Sequence, residues 1–132
     1  MSQHGSVQLR SGRWDWSVRP QHSGVAVVYQ HRSRHGDELR TWAPDPDVTP
    51  DRAADLALQP IERRWVDPDG LSWTITVDLP SDWARPDRSD DERSLNLVFS
   101  IGSLVRKAQV PASCRVGELT HMELADLLRE AR

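Results

Sequence analysis

The chain closes on LTHMELADLLREAR, and a shorter run in its middle, VTPDRAADLAL, is built on the same plan. In the closing run Thr120 stands at the N-cap with Glu123 three positions on, a capping box in which each side chain reaches the other's backbone N–H. Leu119 and Leu124 are placed to pack on each other as a hydrophobic staple. Leu124, Leu127, Leu128 and Ala131 then follow the i, i+3, i+4, i+7 spacing and make one apolar stripe. In the middle run Thr49 is the equivalent cap, Pro50 occupies the first helical position, Asp51 favours the positive helix end and Pro60 stops the helix. Val48, Ala53, Leu56 and Ala57 take the places of Leu119, Leu124, Leu127 and Leu128. The stripe is the same but thinner, and a helix with one apolar stripe must lay it on another layer.

Upstream of each helix the strands match as well. VAVVYQ, from Val25 to Gln30, corresponds in character to LNLVFS, from Leu95 to Ser100, with Tyr29 opposite Phe99. Further back, WDWSV from Trp14 to Val18 matches LSWTI from Leu71 to Ile75, pairing Trp16 with Trp73. ELRTW and RKAQV supply a third strand in each set, and SVQLR and IERRWV precede the sets as candidate fourth strands. The offset between landmarks grows from 57 residues at Trp16 and Trp73 to 70 at Val25 and Leu95, and is 71 at Thr49 and Thr120. That places a gain of about 13 residues in the charged, Pro-broken run 81–94, which contains Trp83.

The expectation is an α+β domain of tandem duplicated β-β-β(-β)-α units, repeat 1 over 6–59 and repeat 2 over 61–132. One or two antiparallel sheets would be covered by two helices about a pseudo-twofold axis. At 132 residues the halves are expected to share one compact domain.

Charge and cysteine usage set the class. Lys+Arg 17 against Asp+Glu 20 gives a formal net charge of -3, with no global attraction to nucleic acid or an anionic membrane. The only cysteine, Cys114, rules out an intramolecular disulfide, and no apolar run reads as a signal or a span, so the cytoplasm is the expected compartment. Arg outnumbers Lys sixteen to one, a usage associated with GC-rich bacterial genomes.

Six tryptophans stand beside one Phe and one Tyr. Trp16 and Trp73 are assigned to the core. Trp14, Trp42 and Trp65 are read as unable all to share that face, so one or more is expected at the surface as a partner-binding anchor. Trp83 with Arg85 in the insertion is a further partner-contact candidate. The tip QHRSRHGDE gathers His31, Arg32, Arg34 and His35 before Asp37 and Glu38. Through residue 44 the charge is +3, and over the remainder -6. Arg32, Arg34 and Arg40 are therefore candidate phosphate contacts, although no basic stripe flanks them. No metal site or cofactor is expected, because one distant Cys and His31 with His35 do not make a ligand set. Cys114 beside Arg115 has no nucleophile context, and no elbow, phosphate loop or H-E-x-x-H run is present. The sequence thus points first to a non-enzymatic module that binds a protein partner, as an adaptor or regulator. A nucleic-acid-associated protein is the alternative, and a small-ligand enzyme the third reading.

Overall fold

The computed structural model describes residues 3–78 and 94–132. It is an α+β fold in which one eight-stranded antiparallel sheet carries two helices. The strands are β1 (His4–Leu9), β2 (Gly12–Gln21), β3 (Gly24–His31), β4 (Glu38–Ala43), β5 (Glu62–Val66), β6 (Ser72–Asp78), β7 (Ser94–Ile101) and β8 (Leu104–Pro111). Helix α1 (Pro50–Leu58) follows β4 and helix α2 (His121–Glu130) follows β8, so the order strand-strand-strand-strand-helix occurs twice. Spatial order equals chain order, so each strand pairs with the one before it and the sheet is a single meander. Both candidate fourth strands are present, as β1 and β5. The insertion 81–94 lies outside the described residues, apart from Ser94, which opens β7.

Alternation decides which side chains face the helices. Val7 and Leu9, Trp14 and Trp16, Val25, Val27 and Tyr29, then Leu39 and Ala43 form one apolar cluster with Val48, Ala53 and Ala57. Trp65, Trp73, Ile75, Leu95, Leu97, Phe99, Ala108 and Val110 form a second with Leu119, Leu124 and Ala131. Burying a side chain such as Leu124, which is wholly enclosed, contributes about 1.5–3 kcal/mol. The two clusters divide the chain between them, one under each helix. The buried Tyr29 hydroxyl, which donates to the Ala53 carbonyl, ties the first helix to its strands.

Both helices start where the caps predict. The Thr49 hydroxyl accepts from the Arg52 N–H, and Thr120 and Glu123 complete the capping box in both directions.

Between the halves the sheet is at its narrowest. β4 and β5 share three register pairs, Glu38 with Arg64, Leu39 with Arg63 and Arg40 with Glu62, against eight between β2 and β3 or β7 and β8. The segment 114–123 reaches back across this seam. The Ser11 hydroxyl donates to the Gly117 carbonyl, the Arg10 N–H to Glu118, and the Gln59 amide to the Cys114 carbonyl. A short 3-10 turn, Val116–Glu118, brings Gly117 so close to α1 that a Cβ there would lie 1.8 Å from the Ala57 carbonyl oxygen. Only glycine permits that approach.

Candidate functional site

The tryptophans correct one sequence expectation. Trp14 and Trp65 are fully buried and Trp16 and Trp73 nearly so, which removes Trp14 and Trp65 as surface anchors. The physical reason lies in register: Trp14 and Trp16 are two residues apart and therefore share a face, and Trp65 sits directly opposite Trp73. Three of the four indole N–H groups donate to partners, Trp14 to the Ser11 hydroxyl, Trp65 to His121 Nδ1 and Trp73 to Asp67, whereas that of Trp16 is buried without one among the described residues. Trp42 is the exception at 41% exposed. It lies at the end of β4 on the helix-free face, directly across from Ala26, and its ring leans over Gly24. A Cβ at position 24 would lie 3.0 Å from two atoms of the indole, so Gly24 gives the ring its room. Trp83 and Arg85 lie outside the described residues.

The basic tip is built around His31. Its Nδ1 accepts from the Ser33 and Arg34 N–H groups, so the ring proton sits on Nε2, which donates to the Ser11 carbonyl. The ring also meets Trp14 edge-on at 4.9 Å. His31 thus locks the turn and offers no free nitrogen. The three candidate phosphate contacts are placed differently. Arg32 is held by Asp15 at 2.6 Å, and its guanidinium keeps that carboxyl below the ordinary carboxylate range. Arg40 stands 3.8 Å from Glu38 on the helix-free face. Among the described residues Arg34 makes no ion pair, and it lines a cleft.

That cleft, of about 420 Å³, opens between the tip, the β5–β6 turn and the start of α2; Ser33, Arg34, His35, Asp37, Asp67 and His121 form its polar walls. Two of its carboxylates are already engaged. Asp37 accepts both Nε and Nη2 of Arg63, at 3.0 and 2.9 Å, with both side chains out of solvent. Arg63 Nη1 donates onward to the carbonyls of Val116 and Leu119, and the guanidinium lies 5.4 Å from the Trp14 ring. One cation therefore joins the tip of the first half, β5 and the segment before α2.

Asp67 shapes the β5–β6 turn by accepting from the N–H groups of Asp69 and Leu71 and from Trp73 Nε1. Burial works against its charge, but those donors prevail and its pKa is lowered. His121 accepts the Trp65 N–H at Nδ1, which leaves its proton on Nε2. Burial first, then Arg34 and Arg63, lower its pKa against the opposing pull of Asp37 and Asp67. The donors left to a ligand are Arg34, His35 and His121 Nε2–H, a set suited to an oxyanion.

Asp37, Arg63 and His121 were invisible as a group in the sequence. Asp37 reads as a solvated tip residue, Arg63 as one of two arginines on a strand, and His121 as the first residue of a helix. Cys114 is half-buried, and burial raises its thiol pKa, so the thiolate needed for attack is disfavoured. Among the described residues no cluster of three or more His, Cys, Asp or Glu is placed to hold a metal ion, and no helix is long and apolar enough to cross a membrane. Comparison with protein-family models, curated proteins and solved structures finds no match to this chain.

Proposed function

We propose that this chain is a non-enzymatic cytoplasmic module, an adaptor or regulator, that docks a protein partner on the helix-free face of its sheet around Trp42. The observation that carries the reading is the contrast among the tryptophans: Trp42 is 41% exposed, whereas Trp14, Trp16, Trp65 and Trp73 are at 4% or less. A large indole set over Gly24 is an anchor of the kind that concentrates binding energy at interfaces. Affinity capture from the native host tests it, comparing wild type with Trp42→Ala and with a chain whose residues 81–94 are replaced by a Gly/Ser turn. A partner kept by the replacement but lost by Trp42→Ala, at unchanged thermal midpoint, supports the reading. Equal recovery by wild type and Trp42→Ala removes this face as the recognition element.

A second reading is favoured by the cleft beside the tip, whose free donors are Arg34, His35 and His121. It is nucleic-acid association through phosphate contacts with Arg34, which lines the cleft, and with Arg32 and Arg40, which stand outside it. Binding to DNA or RNA that falls steeply with salt and disappears in the Arg32→Ala, Arg34→Ala double variant would favour it over the first.

We also propose that the two halves are copies of one unit. What supports this is the shared order of elements, the inward placement of Tyr29 and Phe99, and the matching caps Thr49 and Thr120. Tyr29 faces Trp16 whereas Phe99 faces Ile75, so laying Tyr29 on Phe99 brings Trp14, two residues from Trp16, onto Trp73. Superposing 14–57 on 71–128 without the insertion should therefore align Tyr29 with Phe99 and Thr49 with Thr120 at a two-residue slip of the second strand; caps that do not coincide when the strands are superposed would end the proposal.

A further inference from the structure

We propose a second docking site, independent of the Trp42 face: a groove between the end of β8, the 114–119 segment and α2 that seats a basic amphipathic peptide. The groove encloses about 280 Å³, with Val110, Pro111, Leu119 and Leu127 giving it an apolar floor. Pockets that enclose a whole drug-sized ligand run from about 300 to 1,000 Å³, so this volume suits one or two apolar side chains of a longer partner.

Its charge selects the partner. All the charged residues that line it are carboxylates, Glu123, Asp126 and Glu130, and none of the chain's arginines does so among the described residues. Glu123 is already held by Arg10 at 2.7 Å. Asp126 has only a solvent-exposed contact with Arg129 at 3.2 Å, which is a weak interaction, and Glu130 makes no ion pair among the described residues. Asp126 and Glu130 are four residues apart and so stand one above the other on α2. Leu127 between them is only partly buried, whereas Leu124 one turn back is wholly buried. The helix therefore leaves an apolar strip beside two available negative charges. Lys or Arg flanking an apolar anchor complements both.

The way in is by side chain. The middle of the β8 edge is closed by reciprocal backbone bonds between Lys107 and Arg132, at 2.9 and 3.0 Å, so a partner strand cannot pair through Lys107.

Cys114, the sole cysteine, also lines the groove and reports its occupancy. The test uses the full chain and three labelled peptides of equal length, a Leu/Lys amphipath, its Leu/Glu counterpart and a Ser/Lys peptide. Binding is read by fluorescence anisotropy, and protection by the rate at which Cys114 reacts with a thiol reagent. The Leu/Lys peptide should bind at least about tenfold more tightly than either control and slow Cys114 labelling several-fold. Asp126→Lys with Glu130→Lys, and Glu130→Lys alone, should weaken it, and Trp42→Ala should not. Equal binding of the Leu/Lys and Ser/Lys peptides, unchanged labelling of Cys114, or indifference to both charge reversals would overturn the proposal. Loss of binding in Trp42→Ala would likewise overturn it as a separate site.

Discussion

Replacing Arg63 by Met keeps most of the aliphatic stem and removes four hydrogen bonds at once: two to Asp37 and one each to the carbonyls of Val116 and Leu119. The Asp37 carboxylate would then be left without its counter-ion in a site where the pair is 0% and 2% exposed. Removing one member of such a pair costs about 3–5 kcal/mol. Val116 O keeps the Leu119 N–H as a partner, but Leu119 O loses a buried donor, adding about 1–3 kcal/mol. The sum, roughly 4–8 kcal/mol, is comparable to the whole stability of about 5–15 kcal/mol expected for a domain. Urea unfolding followed by tryptophan fluorescence would measure it, since Trp14 lies beneath the guanidinium. The thermal midpoint should drop by on the order of 10–20 °C or more. Asp37→Asn should be similarly harmful, whereas Asp37→Leu with Arg63→Met should cost less than the two single changes added together, by about 2 kcal/mol or more. Single variants that each lose under about 1 kcal/mol, or a strictly additive double variant, would refute the reasoning.

Gly117→Ala should destabilise by about 1–3 kcal/mol in the same urea assay, since its Cβ would force the 3-10 turn away from the end of α1. Thr49→Ala and Thr120→Ala should each lose about 1 kcal/mol, with the larger loss at Thr120, whose box satisfies two N–H groups. For His121 the pKa is lower in the folded chain, so as pH falls from about 7 to 5 the unfolded chain takes up the proton first and stability declines. The urea midpoint of His121→Asn should vary less with pH over that range. Protonation of His121 should also disturb its bond from Trp65, visible as a fluorescence change in the wild type that the variant lacks.

The helices were the most legible part of the fold, because caps are local: Thr49, Pro50, Thr120 and Glu123 act within one turn of themselves. The strands were legible as alternation, which already puts Trp14 on the face of Trp16, two residues away; Trp65 is the tryptophan whose face also depends on pairing. No local signal says that Trp65 sits opposite Trp73 instead of one position away, and a one-residue slip moves a side chain to the other face. The site was less legible still. Asp37 looks like one more charge in a polar turn, and its burial depends on Arg63 arriving 26 residues later on the neighbouring strand. Trp42 looked like its fellow tryptophans, and its place on β4, out of step with the buried Leu39, Thr41 and Ala43, separates it from them.

The three-pair ladder between β4 and β5 has a consequence for how the chain could be divided. Cleavage between Gln59 and Pro60 would cut no strand or helix and would leave each piece with four strands, a helix and its own apolar cluster. Pieces of 59 and 73 residues bury too little surface to be robust alone, so folding and reunion would be coupled. What would draw them together is mainly polar and directional: three rungs, one buried cation with its carboxylate, and bonds reaching from 114–118 to residues 10, 11 and 59. Such an assembly would tolerate little sideways slippage, and the two fragments would make a split pair that reconstitutes in a single register.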